Sequence, residues 1–586
     1  MRRKHLRSLG AIAVVAALTL SACGDDGGNG GGNGGGGATP EFNGAVGAVF
    51  NASDKTGGTL KMGKSGDWGD SVDPGDTYYG YSWNLLRGYG RALTMFKVAP
   101  GKESEELVGD LAEDLGTPSE GGKTWTYTLR EGLVYEDGTA ITSADVAYAV
   151  TRAFDREVFP NGPEYFNGYL DYPADYKGPY KTPEMDISSA IETPDERTIV
   201  FHLKAAYAGF DYFAMTPQTV PVPKDKDTGT KYKEHVISSG PYMWESWEAG
   251  KKYVLVRNPE WDPATDPNRN PLVDRIEIEL NLNAEDVDNR ILDGDLHVDV
   301  AGTGVQPATL PTVLNDEEIK AKADNPGSAR TWYTSIIPTV KPLDNIDCRK
   351  AVMLAMDRSL YQAAYGGPLA GGDIATSMLP PTIPGHIDFD PYDSAAEGPD
   401  VEGAKAALAD CGQPDGFDTN IAYRTERPKE QATAEGFQQA LKAVGINLTL
   451  KPLAEGTYFS DTVGKPSYLV ENNIGLATNG WSADWNDGFG FFSQIVDSRV
   501  IRPTGGSSNL SVRVPEIDAL LDTAIGELDT ATREGYWGEI DELVMAEAVV
   551  YPGIYSKALT LRGDGITNVF VNEAFGQYDY ISMGVE

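Results

Sequence analysis

An α/β protein built in more than one lobe is what this sequence predicts, and three observations carry that expectation. From Cys348 onward, helix-like runs alternate with short strand-like runs, the order that builds a sheet with a parallel component. Before that point, stretches such as Thr124 to Arg130 alternate in character with period two, as half-buried strands do. Of 586 residues, about 530 follow a glycine-rich N-terminal segment, too many for one hydrophobic core.

The chain opens on a basic stretch, Arg2, Arg3, Lys4 and Arg7, followed by an apolar run from Leu9 to Leu20. A run of about a dozen residues suits a secretory signal and is too short to cross a bilayer. Leu20-Ser21-Ala22-Cys23 then has the pattern of a bacterial lipoprotein signal, in which the Cys23 thiol carries a diacylglycerol and begins the mature chain. Two acyl chains make a stable anchor where one makes a marginal one. An ordinary signal peptide containing a cysteine is the competing reading. The Gly, Asn and Asp tract from Gly24 to Gly37 weighs against it, because a flexible tether is useful only behind a fixed point. Arg2-Arg3-x-His5-Leu6-Arg7 also resembles a twin-arginine signal, so the export route stays open.

Folded structure is expected from Gly57-Gly58, which leads into a strand at Thr59 to Gly63. After the Thr124–Arg130 strand, Asp137-Gly138 turns the chain, and Thr142 with Asp145 caps a helix through Val146, Tyr148, Ala149 and Val150. Thr198–Leu203, Lys252–Val256 and Arg275–Leu280 read as further strands. The segment 161–186, crowded with Gly, Pro, Tyr and Asp, reads as surface loop. Helices are expected over Arg349–Ala364, Val401–Ala409 and Lys429–Val444, with strands at Asp418–Tyr423 and Ile446–Leu450.

A net charge of -38, spread along the chain, argues against nucleic acid as a partner and fits the solvated surface of an exported protein. With Cys23 lipidated, Cys348 and Cys411 remain as an even pair in an oxidising compartment, and a disulfide between them is expected. Neither belongs to a CxxC or has a His at metal-ligand spacing, so no metal site is expected there. No His-based triad or metal motif, Gly-x-Ser-x-Gly, phosphate loop or dinucleotide fingerprint is present, so the chain reads as a non-enzyme without a cofactor.

Several blocks in order resemble the extracellular solute-binding proteins of the peptide/nickel family, family 5, which serve ABC importers. They are Gly57-Gly58-Thr59-Leu60 with Val72-Asp73-Pro74; Leu107 to Glu113, with Gly109 where the family has proline; and Trp125 to Gly132 through Asp145-Val146. Ser239-Gly240-Pro241-Tyr242, Val256 to Trp261, and Arg349-Lys350-Ala351-Val352 through Asp357-Arg358 follow. The resemblance implies a periplasmic-binding-protein-like, two-lobed fold (type II, cluster C) with an inserted subdomain and a ligand cleft between lobes. The implied domains are a signal peptide at 1–22, a tether at 23–56, and a first lobe from 57–90, 200–330 and 552–586. An inserted subdomain at 91–199 and a second lobe at 331–551 complete them.

The family also implies site residues. Gly480-Trp481-Ser482-Ala483-Asp484 matches a Gly-Trp-x-x-Asp sequence whose carboxylate pairs with a peptide's α-ammonium, which makes Asp484 the expected anchor and Trp481 and Trp485 apolar walls. A polar turn beside core tryptophans would need no ligand. The run is also faintly like a calcium loop, but Gly488 comes one place early and no acid stands twelfth. Thr478 replaces an arginine that some longer-peptide binders carry. The neighbourhood of Arg424 and Arg427 is where dipeptide binders place one, and Arg427 is the closer match. Tyr78, Tyr79, Trp332 and Tyr333 complete the expected contacts.

The expected function is therefore a lipid-anchored, monomeric binding protein on the extracellular face of the cytoplasmic membrane, delivering peptides to an ABC permease. The same fold could instead take a nickel chelate, haem, opine or oligosaccharide, or serve as a receptor for a signalling peptide. A buried carboxylate at Asp484 favours peptides over sugars, which offer no ammonium.

Overall fold

The computed structural model describes residues 41–393, 398–527 and 529–586. The expected signal peptide, the lipidation residue Cys23 and the glycine tract lie outside the described residues. Among those described, no helix is long and apolar enough to cross a membrane.

Two large sheets organise the chain. The first has five strands, in the order Val298–Asp299, Thr59–Ser65, Arg275–Leu282, Lys252–Arg257 and Tyr242–Glu248. Thr59–Ser65 runs parallel to Arg275–Leu282, pairing Leu60 with Ile276 and Met62 with Ile278, and all four of these side chains are buried. The C-terminal residues Val569, Val571, Tyr578, Tyr580 and Val585 join this sheet's core, so both ends of the described chain build it. The second sheet has six strands, in the order Gly372–Ile374, Val550–Lys557, Gly327–Ile336, Ile474–Ser482, Asp418–Arg424 and Asn447–Leu453. Its parallel component is the Asp418–Arg424 strand, which runs parallel to both neighbours. The helix Pro428–Lys442 makes the crossover from that strand to its parallel neighbour Asn447–Leu453. A four-stranded antiparallel sheet, Thr117–Ser119, Thr124–Thr128, Thr198–His202 and Ile191–Glu192, is inserted in sequence between the Thr59–Ser65 and Tyr242–Glu248 strands of the first. The whole is the two-lobed α/β architecture that the resemblance implies.

Local signals act as expected in several places. The helix Ser143–Arg152 begins with the Thr142 N–H donating to the Asp145 carboxylate at 2.8 Å. Cys348, on the Ile346–Ala355 helix, and Cys411, just past the Val401–Asp410 helix, form a disulfide with Cα atoms 5.5 Å apart.

Three elements differ from the sequence reading. The run Arg349–Ala364 is two helices, Ile346–Ala355 and Arg358–Ala364, because Asp357 takes an extended backbone and its side chain caps the second by accepting from the Ser359 N–H at 2.8 Å. Packed chain begins before Gly57: Ala45 is fully buried, its N–H on the Asp324 carboxylate at 2.9 Å, and Phe50 pairs with Val569. The segment 161–186 is not all surface. It contains a short helix, Tyr165–Tyr169, whose Tyr165 and Phe166 are fully buried against Phe213 and Phe201. Aromatic burial overrides the Gly/Pro punctuation on either side.

The disulfide closes a loop of 63 positions, and the chain-entropy model gives it about 4 kcal/mol. Thermal melting with and without reductant, against the Cys348→Ser/Cys411→Ser double variant, is expected to show a lower Tm for the reduced protein and no reductant effect in the variant.

Candidate functional site

Residues 474–484 build one wall of a cavity. The Ile474–Ser482 strand pairs antiparallel with Gly327–Ile336 in a register that sets Trp332 opposite Gly480 and Arg330 opposite Ser482. Glycine is required at 480, since a Cβ there would lie 2.2 Å from the Trp332 ring. Past the strand, a backbone bond from the Asp484 N–H to the Gly490 carbonyl (3.0 Å) turns the chain into the short helix Gly488–Phe492. The opposite wall is the loop carrying Tyr78 and Tyr79. Asp70 shapes that loop by accepting from both backbone N–H groups and from the Thr77 and Ser82 hydroxyls. Burial still raises the Asp70 carboxyl to about 7.

The cavity between these walls has a volume of about 120 Å³. Of the expected residues, Asp484, Trp481, Tyr78, Tyr79 and Tyr333 line it. Trp481 meets Tyr78 edge to face at 5.5 Å, and its indole N–H has no partner among the described residues. Asp484 accepts hydrogen bonds from the Tyr78 hydroxyl at 2.7 Å and from the Tyr165 hydroxyl. Burial raises its carboxyl to about 7 despite those two donors. Among the described residues, no Lys, Arg or His nitrogen lies within 4.0 Å of it.

Three expected residues sit elsewhere. Trp485 is in the core, stacked on Tyr212 at 5.1 Å and packed against Tyr165, because the turn after Asp484 points it away from the cavity. Trp332 lies over Gly480 and against Tyr365, its indole donating to the Ser556 hydroxyl at 3.1 Å. Arg427 donates to Glu455 and stays back from the cavity. Burial would raise the Glu455 carboxyl, but Arg427, Lys64 and Arg424 together hold it at about 2. Arg424 takes the place expected of Arg427: it lines the cavity, holds Glu430 through Nε (3.0 Å) and Nη2, and reaches the Tyr79 hydroxyl at 3.4 Å.

Sequence reasoning missed Tyr165, hidden in the presumed surface loop, and Arg330. Arg330 lines the cavity from the strand that carries Trp332 and Tyr333, and only its closeness to those aromatics could have marked it.

Comparison with known proteins gives the family and the fold. Residues 106–501 match the model of the bacterial extracellular solute-binding proteins, family 5 Middle. The probable D,D-dipeptide-binding periplasmic protein DdpA of Escherichia coli (strain K12) is 26% identical over 83% of this chain and 87% of its own length. The solved structure of clavulanic acid biosynthesis oligopeptide binding protein 2 is 40% identical, with a TM-score of 0.84, covering 94% of this chain and 99% of that one. The periplasmic binding protein DppA from Helicobacter pylori, solved with the peptide STSA, shares the fold at 20% identity. Its TM-score is 0.74, with 91% of this chain and 99% of that one covered.

The two neighbouring tryptophans separate core from cavity. Trp485→Ala should cost about 3–5 kcal/mol of stability, as large core truncations do. Trp481→Ala, at a half-buried position, should cost clearly less; paired thermal melts check the difference.

Proposed function

The chain belongs to the bacterial extracellular solute-binding proteins of family 5, and from that membership we propose that it captures peptides between two lobes and delivers them to an ABC importer permease. The observation that carries the peptide reading is Asp484: a carboxylate in the cavity, held by two tyrosine hydroxyls and lacking a cation among the described residues. A peptide's α-ammonium supplies that cation, and the pair forms away from water, where a charge-assisted hydrogen bond is strong. Relatives named for dipeptide and oligopeptide binding, and one solved with a bound peptide, support the same class.

In this reading residues 57–90, 200–330 and 552–586 form the first lobe, 91–199 its insertion, and 331–551 the second lobe. Tyr78 and Tyr165 then approach Asp484 from the first lobe and its insertion, so an ammonium at Asp484 joins contacts that span the cleft. Trp481 and Tyr78 supply flat walls that accept varied side chains. Cys23, lipidated, and the tether behind it hold the monomer at the extracellular face of the cytoplasmic membrane, close to its permease. Replacing Cys23 with alanine should release the protein into the medium or leave an unprocessed precursor, as fractionation and intact mass would report.

A double-mutant cycle tests the anchor. Asp484→Asn should weaken binding of a free tripeptide by about 2–4 kcal/mol, N-acetylation should cost the wild type a similar amount, and the two together should cost much less than their sum. Additive costs would remove Asp484 from this role. The pH dependence carries a definite sign. Burial lifts the Asp484 carboxyl from 3.8 to about 7, so in the empty fold its contribution to stability is greatest below the unfolded value. That contribution declines as pH rises through the window and levels off above about 7. An ammonium ligand needs the ionised form instead. Affinity for a free-amine peptide should therefore fall toward about tenfold per pH unit below 7 in the wild type, and Asp484→Asn should abolish that slope.

A further inference from the structure

We propose that Arg330 receives a carboxylate of the ligand, so that the captured peptide is a short zwitterion whose two charged ends share one cavity. The assignment deepens the peptide reading and rests on it.

Arg330 stands in the Gly327–Ile336 strand and lines the cavity. Its Nε donates to the Ser482 hydroxyl at 2.7 Å, and its guanidinium lies 5.1 Å from the centre of the Trp332 ring. Those contacts fix the plane of the fork. Among the described residues, neither terminal nitrogen has a hydrogen-bond partner and no carboxylate oxygen lies within 4.0 Å.

Its basic neighbours are different. Arg424 is held by Glu430, while Arg427 and Lys64 share Glu455. The carboxylates of this cluster are thus committed, and Arg330 is left with the cluster's excess positive charge. Burial, with Arg427 and Arg424 adding to it, lowers the Arg330 pKa to about 10. An uncompensated cation away from water is costly, and an arriving anion relieves that cost. A planar fork with two free N–H edges matches a carboxylate in bidentate geometry, which a lysine in its place would not do.

Position then limits ligand length. Arg330 is paired in register with Ser482, and Asp484 follows two residues later. Arg330 and Asp484 both line the one cavity, so a ligand that meets both must have its two charged groups within it. A long peptide would carry its C-terminus beyond this cavity and leave Arg330 unpaired.

The test offers four pools of randomised tripeptides to the full-length protein in detergent, as wild type, Arg330→Gln and Arg330→Lys. One pool is free at both ends, one N-acetylated, one C-amidated and one capped at both ends, and retained peptides are quantified by mass spectrometry. The wild type should retain the free pool about 30-fold or more over the amidated pool. Arg330→Gln should lose that preference while keeping its preference for free over acetylated peptides, and Arg330→Lys should recover part of it. Selective retention of Asp- or Glu-containing members of the amidated pool would place a side-chain carboxylate on Arg330 in the same role. Equal retention of free and amidated pools by the wild type overturns the assignment whether or not the variants fold, and so does an undiminished preference in Arg330→Gln. If acetylation matters and amidation does not, only Arg330 is excluded. If no pool is retained, the peptide reading fails with it.

Discussion

The antiparallel pairing of Gly327–Ile336 with Ile474–Ser482 is the constraint on which the rest of the site depends. It brings residues about 150 positions apart in sequence into a fixed register, with Arg330 opposite Ser482 and Trp332 opposite Gly480. A slip of one residue would turn every side chain of the strand to its other face. Gly480 blocks such a slip locally, because only a residue without a Cβ leaves room for the Trp332 ring. The same Gly327–Ile336 strand also pairs with Val550–Lys557, so the site's wall lies at the centre of a six-stranded sheet rather than on its edge. A wall held on both sides keeps its side chains in place when a ligand is absent.

Charge is the second organising theme. The cavity region collects Lys64, Arg330, Arg424 and Arg427 on one side of the account and Glu430, Glu455, Asp70 and Asp484 on the other. They are matched unevenly. Glu430 and Glu455 are committed to arginines and a lysine. Asp70 is saturated by backbone and hydroxyl donors that shape the tyrosine loop. Among the described residues, the Asp484 carboxylate has hydroxyls alone, and the Arg330 guanidinium a hydroxyl and a ring face. Buried polar groups left short of partners mark where a protein expects something else to arrive.

Contacts between distant segments hold the surroundings of the cavity together. Arg502 donates to the Pro160 and Gly162 carbonyls and pairs with Glu164 at 3.0 Å, holding the loop that supplies Asn161 and Gly162 to the lining. Lys64 crosses to Glu455, and Lys429 donates to the Thr303 and Gly304 carbonyls. These bonds join the segments of the five-stranded sheet and the inserted region to those of the six-stranded sheet.

Much of this was legible in the chain itself. Period-two strands, the Thr142–Asp145 cap, the helix–strand alternation after Cys348 and the Cys348–Cys411 pair all follow from local pattern or elimination, because backbone geometry and thiol chemistry act over short ranges. Asp484 and Trp481 were legible through the resemblance, because the run Gly480 to Asp484 matches the family's Gly-Trp-x-x-Asp sequence. Which tryptophan faces the cavity, which arginine of the Arg424–Arg427 pair enters it, and that Tyr165 and Arg330 belong there were decided only by tertiary structure. Each depends on a partner far away in sequence: Tyr212 for Trp485, Glu455 for Arg427, Phe213 for Tyr165, Ser482 for Arg330. A local pattern specifies an element and the spacing along it. The direction in which a side chain finally points is set by whatever the fold brings against it.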